Sequence, residues 1–353
     1  MGSLRFAFRK GKLWATKKTA SLKSIAAELG ISVSVVSRVL SGKARQYRIS
    51  EKTEKRVQDE ADRLGFSPNL IASSLRLKKT HTIGLIIPDI SNNFFSSVAR
   101  FVTIEARKRG YSIILCDSQG DDQTEIEAIR LLQSRSVDGL IITPVGQIGG
   151  LLKGLLDGGL PLVLLDRYFS DVELPYVTSD NYQGALAATD YLIERGHQRI
   201  ACIQGPPDSS TSMDRVAGYR AAMEQRGIEI DETQIVGDDF NERNGYVETK
   251  LLLQHQPRPT AIFSLGNLPT FGAIRAIAEE GLSIPEDISL LSFDDHYSSA
   301  FLAAPLTAVA QPEEAIGLFA VKLLCNQLAG NSTIEGVSLA TQLNERSSVR
   351  VLG

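Results

Sequence analysis

Ser32-Val-Ser-Val-Val-Ser-Arg38-Val-Leu40 is the stretch that decides the fold of the N-terminal part of this sequence. Ser32 is a good helix N-cap because its hydroxyl can accept a hydrogen bond from an unpaired backbone N–H, and Val36 and Val39 then recur at helical spacing. The same signals predict one helix before this stretch and one after it, with their ends marked by Ser21, Gly30, Ser50 and Gly65. Two helices joined by a tight turn and braced by a third are typical of the helix-turn-helix, whose second helix enters the DNA major groove.

The exposed side of the second helix holds the residues that we expect to meet DNA, namely Val33, Ser34, Ser37 and Arg38. Arginine is the commonest specific reader because its guanidinium can donate two hydrogen bonds to guanine, whereas the alternative for Arg38 is a phosphate contact. Val33 can pack on a thymine methyl group, and Ser34 can form a weak hydrogen bond to a base. Phosphate contacts, which position a protein without reading sequence, are predicted for Ser21, Ser32, Lys43 and Arg48.

The stretch from Leu22 to Leu40 resembles the DNA-binding headpiece of the lactose/purine repressor (LacI/GalR) family of bacterial transcriptional regulators. Arg63-Leu-Gly-Phe-Ser67-Pro68-Asn69-Leu-Ile-Ala72-Ser-Ser-Leu75-Arg76 resembles the hinge helix of that family. The resemblance implies that Leu75 wedges into the minor groove and that Arg76 is among the DNA contacts. A segment as short as residues 69–76 cannot hold a stable helix alone, so we expect it to fold beside its dimer mate on DNA.

The resemblance extends from Ser21 to Val349 and has three departures. Residues 1–20 are a basic N-terminal extension, and the connection from Ser41 to Ile49 is longer than the family's usual one. Val33 and Ser34 are short where many members carry longer polar readers. These departures leave the operator sequence unpredicted, but they do not change the expected fold.

Charge divides this sequence into two parts. Residues 1–80 hold 18 Lys+Arg and 6 Asp+Glu, the remainder holds 20 and 35, and the net charge is −3. A basic segment on an acidic body indicates a nucleic-acid module attached to a sensor or an enzyme, the alternative being a solvated basic tail. No apolar run reaches the roughly 18 residues of a membrane span, residues 1–20 lack the apolar core of a signal peptide, and three widely spaced cysteines suit reduced thiols. We therefore expect a cytoplasmic protein, and the resemblance implies a bacterial one.

From Thr82 onward, short apolar runs alternate with helical segments, from Ile83–Ile87 to a last helix at 313–328. This rhythm predicts an α/β body of two consecutive doubly wound parallel sheets, which form two lobes with a cleft between them. The resemblance implies a periplasmic-binding-protein-like, sugar-binding body whose final strand is 345–350. The expected organisation is a basic extension, a helix-turn-helix domain, a hinge helix with linker, and a two-lobed ligand-binding and dimerisation domain, over residues 1–20, 21–66, 67–80 and 81–353.

Candidate ligand contacts follow the predicted strands, because open parallel sheets bind ligands beyond the carboxyl ends of their strands. The segments in that position include 89–95, Asp117, Pro144, 166–167, 205–215, Phe240, 266–267 and 294–295. Arg215 and Asp294 are the strongest candidates, since residues 208–219 resemble the family's ligand-arginine motif. An arginine fork and a carboxylate suit the neighbouring hydroxyls of a sugar, and the alternative is a salt bridge between the lobes.

Further ligand contacts are implied by the resemblance. Phe94, Phe95 and Phe240 stand where the family places aromatic rings over the ligand, with core packing as the alternative, and Asn267 matches a hydroxyl-binding asparagine. Asp166 is a hydroxyl acceptor, and Thr211 belongs to the arginine motif. Ser209 stands where the purine repressor has an arginine that supports its purine site, so a purine corepressor is disfavoured.

Signals of an enzyme are poor in this sequence. It has no phosphate-binding Gly-x-x-x-x-Gly-Lys-Ser/Thr loop, and its four histidines show no metal-ligand spacing. We therefore expect no catalytic role, no cofactor and no metal. The favoured function is a ligand-responsive repressor that binds a near-palindromic double-stranded DNA operator as a homodimer, senses a small sugar-like effector and has no membrane partner. The alternatives are a sugar receptor without a DNA role and a sugar-processing enzyme.

Overall fold

The computed structural model describes residues 21–66, 79–331 and 334–352. It divides into two compact units, Met1–Lys78 and Lys79–Gly353. The predicted basic extension at 1–20, the hinge helix, Leu75 and Arg76 lie outside the described residues. None of the helices within the described ranges is long and apolar enough to cross a membrane.

Within its described residues, 21–66, the first unit contains three helices, α1 (Leu22–Leu29), α2 (Val33–Leu40) and α3 (Glu51–Arg63). All three predicted N-caps are confirmed, because Ser21, Ser32 and Ser50 side chains accept hydrogen bonds from the backbone N–H groups of Ser24, Val35 and Thr53 at 3.1, 3.3 and 3.3 Å. Gly30 and Gly65 adopt left-handed φ angles of 66° and 61°, which glycine reaches at little cost. Local chemistry therefore accounts for both ends of the first helix and for where the third stops.

A small apolar core holds these three helices together. It consists of buried Ile25, Ala26, Val36, Val39, Ala44, Val57 and Ala61. Burying each large aliphatic side chain stabilises the unit by roughly 1.5–3 kcal/mol. Because Val36 and Val39 of α2 are buried in this core, the opposite side of the helix faces solvent.

The second unit contains two six-stranded sheets, and the first has the order β11-β5-β4-β3-β1-β2. Its strands are all parallel and are β1 (Thr82–Ile87), β2 (Ser112–Asp117), β3 (Gly139–Ile142), β4 (Leu162–Leu165), β5 (Tyr176–Ser179) and β11 (Gly336–Leu339). Helices α4 (Asn93–Lys108), α5 (Asp122–Ser134) and α6 (Gly149–Asp157) connect them. β3 and β4 are buried along their whole length, which explains their uninterrupted apolar sequences.

The second sheet has the order β12-β10-β9-β8-β6-β7. Its strands are β6 (Ile200–Ile203), β7 (Ile235–Val236), β8 (Ala261–Ser264), β9 (Ser289–Phe293), β10 (Thr307–Ala310) and β12 (Gln342–Asn344). β12 runs antiparallel to β10, and the other pairs are parallel. Its helices are α7 (Asn181–Glu194), α8 (Ser210–Gln225), α9 (Glu242–Leu252) and α10 (Asn267–Glu279). The two predicted parallel lobes are confirmed.

The prediction that the two sheets are consecutive in the chain is wrong. Helix α11 (Glu313–Leu328) follows β10 of the second sheet, yet Ile316, Ala320 and Leu324 pack in the core of the first sheet. β11 then joins the first sheet and β12 the second, so the described part of the chain crosses between lobes three times. The periodicity of α11 indicates that it has buried faces, but it cannot indicate which sheet covers them.

The prediction of a final strand at 345–350 is also wrong. The last strand of the described chain is β12, and residues 345–350 form an irregular segment. Ser348 fastens this segment to the sheet, since its hydroxyl donates to the Leu290 carbonyl at 2.6 Å and accepts from the Thr307 N–H at 2.8 Å. A side chain thus replaces some of the backbone hydrogen bonds that a strand would form with the sheet. Alternation of apolar and polar residues in the sequence does not reveal this replacement.

Candidate functional site

The outer side of α2 carries the residues predicted to meet DNA. Val33, Ser34 and Arg38 are exposed, Ser37 is half-buried, and Lys43 and Arg48 are exposed in the connection that follows. Ser21 and Ser32 are exposed too, but their hydroxyls already cap helices. Any phosphate contact by these two serines would therefore add to an existing structural role.

A cleft lies in the second unit, at the carboxyl ends of the strands of both sheets. Its free volume is about 30 Å³, and it is lined by Asn92, Phe94, Phe95, Asp166, Arg167, Thr211, Arg215, Phe240, Gly266, Asn267, Asp294 and Gln311. Eight of the nine predicted ligand contacts are in this lining. Ser209 is absent from it; the residue stands just before α8, and its hydroxyl pairs with that of Thr211 at 2.9 Å.

Arg215 is held on several sides. Its Nε donates to Asn181 Oδ1 at 2.8 Å, its Nη1 donates to the Leu265 carbonyl at 2.7 Å, and its Cζ lies 3.7 Å from the centroid of the Phe293 ring. Nη2 is 4.0 Å from Asp294 Oδ1. All these partners belong to the second lobe, so among the described residues Arg215 has no salt-bridge partner in the first lobe. Burial lowers the pKa of Arg215, and nearby Asp294 and Asp166 oppose that shift.

Asp166 is the least satisfied acidic group of the cleft. Only 4% of the residue is exposed, its φ is +66°, and its Oδ1 has no hydrogen-bond partner within the described parts of the chain. Burial raises the pKa of Asp166 to about 6, although Arg215 and Arg167 act in the opposite direction. A buried carboxylate oxygen without a donor is costly, so this atom is ready to accept a hydrogen bond from a ligand.

In the described part of the chain, Arg167 provides a hydrogen-bond donor without a partner next to the unpartnered acceptor of Asp166. Its Nη1 donates to the Pro144 carbonyl at 3.2 Å, whereas its buried Nε finds no acceptor within the described residues and lies 3.9 Å from Asp166 Oδ2. Sequence reasoning placed this arginine in a segment after a strand but did not assign it to the ligand site. The cleft therefore presents an unused donor beside an unused acceptor.

Asp294 organises the opposite wall. Its Oδ2 accepts from the Asn267 N–H at 3.3 Å, and its Oδ1 accepts from the Gln311 side chain, whose Oε1 accepts from Ser179 Oγ at 2.6 Å. Gln311 lies where the chain leaves β10 for the first lobe. Sequence reasoning missed it because β10 carries too little pattern to mark a strand end. The carboxylate is thus tied to a crossing between the lobes.

Aromatic rings complete the lining. Phe94 and Phe95 are nearly buried and meet edge to face at 5.1 Å between centroids, and the Phe240 ring lies 5.9 Å from both the Arg167 and Arg215 guanidinium carbons. A Cβ atom at Gly205 would stand 2.3 Å from the Phe240 ring, so only glycine there lets the ring occupy this position. Apolar rings beside polar groups suit a ligand with hydroxyls on its edge and C–H groups on its faces.

The two lobes contact each other around the cleft. Asn267 Nδ2 donates to Asn92 Oδ1 at 3.0 Å, and the Tyr168 hydroxyl donates to Asp214 Oδ2 at 3.0 Å. The Tyr168 N–H also donates to Ser210 Oγ at 3.0 Å. Asn92 was another lining residue that the sequence did not assign. These contacts join the lobes, so a change in lobe separation would have to break them.

The charges of the cleft cancel. Asp166 and Asp294 face Arg167 and Arg215, and the remaining polar lining groups are neutral amides and a hydroxyl. No cluster of three His, Cys, Asp or Glu side chains suited to a metal ion occurs in the described ranges. This arrangement offers fixed donors and acceptors without net charge, which favours a neutral polar ligand over an anion.

Both units match descriptions of the same protein family. The description "Bacterial regulatory proteins, lacI family" matches residues 21–69, and "Periplasmic binding proteins and sugar binding domain of LacI family" matches residues 80–346. The ribose operon repressor of Escherichia coli (strain K12) is 33% identical over 311 residues, which cover 88% of this chain and 93% of that protein.

Two solved structures extend this comparison. A LacI family transcriptional regulator from Enterococcus faecium with bound ribose is 30% identical, with a TM-score of 0.69 over 77% of this chain and 100% of that one. The lac repressor dimer bound to operator and the anti-inducer ONPF has a TM-score of 0.83 at 24% identity, covering 94% of this chain and 100% of that one. The second likeness supports the fold alone.

Proposed function

Because the chain belongs to the lacI family of bacterial regulatory proteins, we propose that it is a transcriptional repressor that binds a near-palindromic operator as a homodimer and senses a small neutral sugar. The Escherichia coli relative named above is a ribose operon repressor, so we assign a binding role rather than a catalytic one to the cleft. A sugar receptor without a DNA role would not need the helix-turn-helix of residues 21–66.

The neutral cleft is the observation that carries the effector class. A sugar hydroxyl can donate to the unpartnered Asp166 Oδ1 while its oxygen accepts from Arg167 Nε, so two buried groups gain partners together. Ribose is the first candidate, since one relative is named a ribose operon repressor and one solved structure holds ribose.

In this proposal α2 recognises the base sequence of the operator. Arg38 donates to guanine in the major groove, while Val33, Ser34 and Ser37 contact neighbouring bases. Ser21, Ser32, Lys43 and Arg48 contact phosphates, which set the position of the unit on the duplex. Two-fold symmetry of a dimer requires two-fold symmetry of the operator, so the site has two half-sites.

Ligand and DNA are coupled through residues 69–76 in this proposal. Leu75 enters the minor groove when two such segments meet in the dimer, and Arg76 contacts the backbone beside it. Leu75→Ala should weaken operator binding strongly and leave binding to random DNA nearly unchanged, because the basic residues remain. Affinities on both DNAs at matched salt check this, and equal losses on both would count against the wedge.

A sugar panel tests the effector class. Full-length protein is unfolded thermally with D-ribose, D-glucose, D-ribose 5-phosphate or D-gluconate, and fluorescence anisotropy then follows operator binding with the same compounds. A neutral sugar at about 100 times its Kd should raise the free energy of unfolding by roughly 2.7 kcal/mol and change operator affinity. Stabilisation by the phosphate ester or sugar acid alone would contradict the proposal of a neutral ligand.

A matched pair of variants makes the panel specific to the cleft. Asp166→Asn removes the charge of the unpartnered acceptor, whereas Asp190→Asn removes a carboxylate that pairs with Arg226 on the surface of the second lobe. The first variant should lose most of the sugar-induced stabilisation, and the second should keep it. Equal responses would mean that the sugar binds outside the cleft.

A further inference from the structure

The connection from α2 to α3, residues 41–49, is a fixed structure rather than a loose loop. The Lys43 N–H donates to the Arg38 carbonyl at 2.9 Å, and the Ile49 N–H donates to the Ala44 carbonyl at 3.0 Å. Ala44 is 1% exposed in the core of the first unit. Between these anchors, the Tyr47 N–H donates to the carbonyls of Lys43 and Ala44, both at 3.2 Å. These hydrogen bonds fix the backbone position of Tyr47, and therefore the direction in which its side chain leaves the connection.

Tyr47 meets Arg38 of the second helix. The Arg38 Cζ lies 4.0 Å from the centroid of the Tyr47 ring, and 46% of Tyr47 is exposed. Within residues 21–66, no side chain or carbonyl accepts a hydrogen bond from the Arg38 guanidinium. The ring is thus the contact that the first unit provides for this guanidinium.

Stacking and base reading use different parts of the guanidinium. Its N–H donors lie in the plane of the group, whereas an aromatic ring covers its flat face. The Tyr47 contact therefore leaves the donor fork free. A long exposed arginine otherwise loses considerable rotamer freedom when it binds a base, and a ring that already limits this freedom reduces the loss.

We propose that Tyr47 is a specificity-determining positioning residue, which stacks on Arg38 and holds its donor fork in the orientation that reads guanine. The proposal rests on the DNA-reading function proposed for α2 and adds a residue that acts on DNA through Arg38 rather than by touching it. Lys43, Arg45 and Arg48 are exposed in the same connection, and they supply phosphate attraction independent of the stack.

A double-mutant cycle in the full-length protein tests this role. An operator is first selected from random double-stranded DNA with the wild-type protein. Affinities for this operator, for operators altered at each base pair and for random DNA are then measured at one salt concentration. The variants are Tyr47→Ala, Tyr47→Phe, Arg38→Ala and Arg38→Ala with Tyr47→Ala, with Gln46→Ala as the control in the same connection.

Tyr47→Ala should lower operator affinity by roughly two- to fivefold, the value of an exposed cation–π contact. The loss should fall on the base pair that Arg38→Ala also ceases to discriminate, and random DNA should be bound as before. Tyr47→Phe should keep the wild-type operator affinity, since the ring is kept. In the Arg38→Ala background, removal of Tyr47 should have no further effect.

Other outcomes overturn the proposal in different ways. A loss from Tyr47→Ala that persists without Arg38 means that Tyr47 contacts DNA itself, and an equal loss on operator and random DNA means a structural role. No loss means that the stack is without consequence. If the wild-type protein selects no common sequence, or if Arg38→Ala keeps full discrimination, α2 does not read DNA as proposed. The role proposed for Tyr47 is then rejected as well, because it depends on that function.

Discussion

Arg38 and Arg215 show how differently the two units of this protein use the same side chain. Arg38 is exposed and stacked on one aromatic ring, whereas Arg215 is 3% exposed and holds an amide oxygen, a carbonyl and a second aromatic ring. A DNA-reading group must exchange water for a base edge, so it stays hydrated until DNA arrives. A cleft group is desolvated during folding and is therefore part of the fold before a ligand binds.

This difference has an energetic consequence. Removing an exposed reader should change binding alone, because little of the folded structure depends on it. Removing a buried, charged group leaves its partners unpaired in a medium of low dielectric constant, so stability and binding should fall together. The variants below are chosen to separate these two situations.

The largest effect is expected for Arg215→Met. The free energy of unfolding of the second unit should fall by roughly 3–5 kcal/mol, since the buried partners of the guanidinium lose their donor, and the sugar response should disappear. Arg220→Met is the control on the same helix, because its ion pair with Glu232 is partly exposed and should contribute less than about 1 kcal/mol. Urea denaturation of both variants checks this, and equal midpoints would remove the contrast between buried and exposed arginines.

Arg38→Ala should have a smaller effect, limited to DNA. Operator affinity should fall by roughly 1–3 kcal/mol, with relaxed discrimination at one base pair in each half-site, while the urea midpoint stays at the wild-type value. Arg56→Ala, an exposed change on α3, serves as the control and should keep that discrimination. A uniform loss over all sequences would show that Arg38 touches only phosphate.

The smallest effect is a pH dependence of ligand binding. Because burial raises the pKa of Asp166 to about 6 from its usual 3.8, the folded protein binds this proton more tightly than the unfolded chain. The stability contributed by this group is thus fully present below about pH 4 and is lost as pH rises through 6. A hydroxyl that donates to the carboxylate needs the ionised form, so sugar affinity should fall as pH drops below 6, by up to about tenfold per unit.

Calorimetric titration between pH 5 and 8 checks this dependence. Asp166→Asn should bind the sugar more weakly and without the pH dependence. Glu125→Gln is the control, because Glu125 also has a pKa raised by burial, to about 7, but it accepts from the Val145 and Gly146 N–H groups outside the cleft lining. If the pH dependence disappears in Glu125→Gln and remains in Asp166→Asn, the cleft carboxylate is not its source.

Much of the architecture could be predicted because its causes are local. Ser21, Ser32 and Ser50 cap helices through atoms three residues away, and the apolar run from Leu162 to Leu165 is a strand with the same bounds in sequence and structure. The topology of parallel sheets then places strand ends together, so eight of the nine predicted ligand contacts meet in one cleft. The resemblance to the family selected most of these residues, and the rule that ligands sit beyond strand ends placed them at one edge of the sheets.

What the sequence by itself determined, then, is the set of elements and the residues at their ends, since caps, turns and apolar periodicity act within a few positions of the chain. Tertiary structure alone decided the partners: which sheet covers α11, that Gln311 joins the Asp294 wall, that Ser209 stays out of the lining, and that Tyr47 stacks on Arg38. Those contacts join residues far apart in the chain or depend on how one element sits against another. Their energies depend on burial and distance, which no local pattern of residue types specifies.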